Sequence, residues 1–160
     1  MNNNEKLITQ FYTAFSNLDG EKMSACYRSN IQFQDPVFGI LKGQEVMDMW
    51  NMLLYRSKGI LKIEFSAIEA NEKTGSAKWI ATYTFSKTNR LVVNVITSQF
   101  EFQDGLISKH TDKFNVWKWT QQAIGIPGYL LGWTPFLQNK IQEQSKALLK
   151  KYQEKNLMLK

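Results

Sequence analysis

The chain has 160 residues, 43% of them hydrophobic and 13% aromatic, enough apolar surface for a single domain with a true core. Its net charge of +6 is not spread evenly: residues 139–160 carry six lysines against Glu143 and Glu154, which leaves only +2 for the first 138 residues. Such a distribution describes the wet face of a terminal helix and, with no basic stripe interleaved with aromatics in the body, argues against a nucleic-acid partner.

Along the chain, Leu7, Ile8, Phe11, Phe15 and Leu18 recur at three- and four-residue spacing, which predicts an amphipathic helix stopped at Asp19-Gly20. Asp19 then caps a short second helix carrying Met23, Cys26 and Tyr27. A strand follows and ends at Asp35-Pro36, because proline cannot extend the ladder. Gly39 and Gly43 bracket a loop, after which Val46, Met47, Trp50, Leu53 and Leu54 mark a third helix. From Ile60 the period changes to two. Alternation predicts four long strands, near residues 61–67, 77–85, 91–102 and 106–116, joined by turns that include Asp104-Gly105, hence an antiparallel meander. Residues 117–124 return to helix, Gly125-Ile126-Pro127-Gly128 breaks it, and Tyr129, Leu130, Leu131 and Trp133 form an apolar stretch. Thr134-Pro135 starts a last helix whose stripe of Leu137, Ile141, Leu148 and Tyr152 needs cover from the domain or a second subunit. The expected organisation is a body over residues 1–117 with a helical extension over 118–160 packed on it.

Three ionisable side chains are out of place. His110, the only histidine, stands two residues before Asp112 on a strand, and residues two apart share a face. Ser108, His110, Asp112 and Phe114 therefore line one side while Lys109, Thr111 and Lys113 mark the wet one. Asp35 likewise continues the apolar face of Ile31 and Phe33. Buried ionisable groups need a partner or a task, so Asp35, His110 and Asp112 are the candidate catalytic residues. A two-residue hairpin at Asp104-Gly105 would set Gln99 opposite His110 and Thr97 opposite Asp112, adding both to a pocket lined by Phe11, Phe15, Trp50 and Phe114. The same register places Ile96, Phe100 and Phe102 on the outer face, where an apolar patch would mediate a homodimer.

One histidine with separated acids is a poor metal set, and no metal or cofactor is expected. The single Cys26 precludes an intrachain disulfide; with no basic-then-apolar leader and no long apolar run, the expectation is a cytoplasmic protein without a membrane partner.

Helix, short helix, strand ending in Asp-Pro, helix, then four long strands resembles the cone-shaped α+β fold of the nuclear transport factor two-like superfamily, which includes ketosteroid isomerases and SnoaL-like polyketide cyclases. The resemblance covers residues 5–117. Its most specific piece is Phe33-Gln34-Asp35-Pro36-Val37-Phe38-Gly39, then Gly43 and a helix, similar to the isomerase segment that carries the proton-shuttling aspartate. Aligned so, the isomerases' tyrosine falls on Phe11, with Tyr12 on the other helical face, and their second acid falls near Thr97 or Ser98. His110 and Asp112 lie on the final strand, where SnoaL-like cyclases are expected to place their acid/base residue. What the resemblance implies is a homodimer with a pocket for a small hydrophobic molecule. There, Asp35 or Asp112 would remove a proton beside a carbonyl while His110 relays it, without a cofactor. The alternative is a non-catalytic ligand-binding or accessory module on the same scaffold.

Overall fold

A computed structural model describes residues 1–159. Its elements, in chain order, are α1 (Asn3–Ser16), α2 (Gly20–Ala25), β1 (Tyr27–Asp35), β2 (Gly39–Lys42), α3 (Gln44–Ser57), β3 (Lys62–Ala70), β4 (Thr74–Phe85), β5 (Arg90–Gln103), β6 (Leu106–Lys113), α4 (Val116–Ile124), α5 (Ile126–Leu131) and α6 (Pro135–Met158). Local chemistry accounts for most boundaries. Asn2 and Glu5 form a reciprocal capping box at the start of α1, Asp19 caps α2, and Thr134 caps α6 with Pro135 in its first turn.

The six strands form one curved, unclosed sheet in the order β2-β1-β6-β5-β4-β3. The expected α+β cone is thus present, with differences in detail: Tyr27, expected on α2, opens β1, and residues 126–131, expected as a break and an apolar stretch, form α5. Residues 39–42, expected as loop, pair with β1 as a short strand. Also, β1 joins the sheet by running parallel to β6, with Phe33 beside His110 and Gln34 beside Thr111.

The β5–β6 register departs from the hairpin expectation. Gln103 faces Leu106 and Phe102 faces Ile107, as a two-residue turn requires, but Glu101 then faces Lys109. Ser108 is the extra residue, a β-bulge whose hydroxyl bonds to the Glu101 carbonyl at 3.0 Å. The slip reverses the faces assigned to β5. Thr97 and Gln99 are exposed on the outer side, opposite Lys113 and Thr111, and do not line the interior. Ile96 and Phe100 are buried and Phe102 is half-buried, so the face proposed for a sheet-to-sheet homodimer is interior surface. Asn94 and Ser98 take the inward positions instead.

The extension closes one end of the sheet. Trp119 and Ala123 of α4 pack with Val92, Tyr83, Phe85 and Phe114, while Leu148, Leu149 and Tyr152 of α6 reach the main core. Helix α5 is clasped to α4 at Gly128 and Gly132, whose hydrogens face the Thr120 carbonyl and hydroxyl so closely that a Cβ at either would overlap them. Gly128→Ala is expected to cost about 1–3 kcal/mol by prising α5 from α4. A denaturant midpoint equal to that of the native chain would contradict this close packing.

Candidate functional site

Parity along β6 holds beyond the bulge, so His110 and Asp112 both point inward, His110 fully buried and Asp112 4% exposed. They belong to a continuous chain of hydrogen bonds. The Trp50 indole donates to the Tyr27 hydroxyl at 3.0 Å, the Tyr27 hydroxyl meets His110 Nδ1 at 2.7 Å, and His110 Nε2 meets Asp112 Oδ1 at 2.9 Å. From the other side Ser98 donates to the same Asp112 oxygen while contacting the Tyr12 hydroxyl at 2.7 Å and the Trp79 indole at 2.9 Å.

Counting donors fixes the imidazole tautomer. If Nδ1 carried a proton, the Tyr27 oxygen would accept from both Trp50 and His110, and its own hydrogen would have no acceptor among the described residues. Tyr27 therefore donates to Nδ1, and the imidazole proton lies on Nε2, aimed at Asp112. Burial first, then the nearby Asp112, holds the Tyr12 and Tyr27 hydroxyls well above the ordinary tyrosine range, so both remain donors.

Around this chain the interior is filled. The His110 ring lies 5.5 Å from Phe11, 5.3 Å from Phe33, 4.5 Å from Phe100 and 6.1 Å from Trp50, and Phe15 packs on Trp50 at 5.0 Å. Phe11 and Trp50 pack on His110 and Phe15 packs behind Trp50, forming filled core where walls of an open pocket were expected; Phe114 sits further out, half-buried against Trp119. A hollow of about 610 Å³ opens instead on the outer face of the sheet, beside Glu69, Asn71, Ser76, Gln99 and Thr111. Tyr12, expected on the other helical face, points inward and reaches Ser98.

Asp35 occupies a different environment. It follows Gln34 in the parallel register and so comes beside Asp112, at the end of the sheet that α4 covers. Its Oδ1 accepts from the amides of Val37 at 3.0 Å and Phe38 at 2.6 Å, because Pro36 turns the chain back over the carboxyl. Oδ2 has no partner among the described residues. Burial, with the negative neighbour Asp112 adding to it, outweighs those two amides and pushes the carboxyl up to about 7. Its charge in turn raises the Tyr83 hydroxyl, already raised by burial, and that hydroxyl accepts the Trp119 indole hydrogen at 2.8 Å.

The arrangement therefore has two layers, a sealed chain centred on His110 and Asp112 and, next to it, Asp35 with one oxygen held and the other free, near Tyr83. Sequence reasoning missed Tyr83, Ser98 and Asn94. Tyr83 stood in plain view in the alternation of β4, whereas Ser98 and Asn94 were hidden by the bulge.

No curated protein matches the chain by sequence. By structure it is similar to TerC co-crystallized with polyporic acid, at a TM-score of 0.67 and 12% identity over 77% of this chain and 99% of that one. It is also similar to a putative polyketide cyclase from Xanthomonas campestris, at 0.60 and 18% over 74% and 94%. An LEH-like epoxide hydrolase of M. tuberculosis matches at 0.59 and 18% over 81% and 96%. At such identities these likenesses show the fold alone. The family model of the SnoaL-like domain matches residues 8–110, well over half of the sequence, and the chain belongs to that family.

Proposed function

We propose that this SnoaL-like protein performs cofactor-free acid/base chemistry on a small hydrophobic carbonyl compound, with Asp35 as the base. The observation that carries the reading is the Asp35 carboxyl itself, pinned through one oxygen by two backbone amides, free at the other and raised to about 7. A base whose conjugate acid has a pKa near the working pH is half deprotonated yet still strong enough to accept a carbon-bound proton. In the step envisaged, Asp35 Oδ2 takes a proton from the carbon next to the carbonyl. The electron pair of the broken C–H bond moves onto the carbonyl oxygen as an enolate, and Asp35 returns the proton to carbon. Tyr83, whose oxygen is engaged by Trp119 and whose own hydrogen has no acceptor among the described residues, supplies a donor for the developing oxyanion.

His110 and Asp112 act through Asp35 in this reading. They are positioning residues, because aromatic rings enclose the imidazole and Asp112 influences the neighbouring carboxyl by its charge. One structural neighbour is co-crystallized with polyporic acid, which supports a small-molecule ligand for this reading. Exchange of α-hydrogens for deuterium, followed by NMR across a panel of enolisable ketones and polyketide-like aromatics, tests the proposal without requiring the natural product to be known. Exchange accelerated by the protein and lost in Asp35→Asn is the expected result. Compounds that raise the melting temperature yet exchange at the solvent rate would contradict it.

A further inference from the structure

Helix α5 and the segments flanking it carry a cluster of exposed apolar side chains. Ile126 is 75% exposed, Leu130 66%, Trp133 63% and Phe136 70%, and Tyr129 and Leu131 are exposed beside them. This ridge is built rather than frayed. The clasp at Gly128 and Gly132 seats α5 on α4, the Trp117 indole donates to the Tyr129 carbonyl at 3.1 Å, and the Trp133 indole donates to the Leu130 carbonyl at 3.2 Å. The polar atoms of both tryptophans are thereby satisfied within the ridge while their rings face out.

The electrostatics around the ridge point one way. Residues 113–142 contain Lys113, Lys118 and Lys140 and not one aspartate or glutamate. The β4–β5 turn next to it adds Lys87 and Arg90, the latter bonded through Nε to the Gln122 carbonyl at 2.7 Å and lying against Gly125. Exposed aliphatic and aromatic side chains on a stretch of chain that carries lysines and no acids, with Arg90 against its start, match the apolar interior and anionic headgroups of a charged bilayer at once. Two copies meeting ridge to ridge would set those cations against each other. Among the described residues no helix is long and apolar enough to cross a membrane.

We propose that residues 125–136 form a membrane-interface anchor that docks this protein peripherally on anionic phospholipid bilayers. The test is partitioning of the full chain onto vesicles of equimolar phosphatidylglycerol and phosphatidylcholine, compared with phosphatidylcholine alone, by co-sedimentation and tryptophan emission. At about fivefold per cation brought to the surface, a preference for the anionic vesicles of about tenfold or more is expected, with a blue-shifted emission. The double variant Ile126→Ser, Leu130→Ser changes only exposed side chains, so it should keep the native melting temperature and lose the binding. Equal partitioning onto both vesicles would overturn the proposal. So would undiminished binding by the double variant, which would assign the attraction to the lysines of α6 alone. A concentration-dependent dimer in light scattering that the double variant dissolves would also overturn it, by giving the ridge to a second copy of the chain.

Discussion

Asp35→Asn is expected to lower turnover on any substrate found by the exchange assay by about 10² to 10⁴, the usual contribution of a positioned base. The amide is nearly isosteric and its oxygen can still accept from Val37 and Phe38, so the turn after β1 should survive. The same variant has a stability signature with a defined sign. Folding raises this carboxyl from 3.8 to about 7, so the folded chain holds the proton more tightly than the unfolded one. The resulting stability is full below about pH 4 and is lost as the pH climbs through 7. Asn cannot ionise and suffers no such loss. The variant should therefore melt close to the native protein at pH 4 and be more stable than it at pH 8, by about 2–4 kcal/mol. A variant that is both fully active and no more stable at pH 8 would remove Asp35 from the mechanism.

Asp112→Ala is expected to be the most destabilising single change, about 3–5 kcal/mol. It strips the acceptor from His110 Nε2 and from Ser98, leaving two buried donors in an aromatic interior with no replacement partner. For a chain of this size that corresponds to a fall in melting temperature of about 6–20 °C. Asp112→Asn keeps an acceptor oxygen and should cost much less, and by removing a negative neighbour it should lower the Asp35 pKa from about 7. If Asp112→Ala melted within a degree or two of the native chain, the hydrogen-bond chain would not hold the interior together.

Much of this was legible in the sequence because periodicity and caps are local. Asp19, Thr134-Pro135 and the alternation from residue 62 onward fix elements through their own chemistry. Asp35, His110 and Asp112 stood out for the same reason, as acids and an imidazole on faces otherwise apolar. The β5–β6 register did not, since the bulge at Ser108 is set by the need to bury Ile107 and His110 on the same side of the sheet, a tertiary demand. A competing signal was available. On β5 the set Thr97, Gln99, Glu101 and Gln103 is wholly polar and the set Ile96, Ser98, Phe100 and Phe102 largely apolar, which alone argues that the latter faces in. Composition outweighs turn geometry on this strand, because burying Ile96 and Phe100 outweighs keeping an unbroken ladder. The parallel pairing of β1 with β6, which brings Asp35 beside Asp112, joins residues more than seventy positions apart and leaves no local trace.

The central claim, that the fold holds Asp35 as a base poised near neutrality, is tested most directly by titrating its side-chain carboxyl carbon by NMR in the native protein. A midpoint at about 7 is the expected result. A midpoint near 4, the value of an unperturbed aspartate, would contradict it.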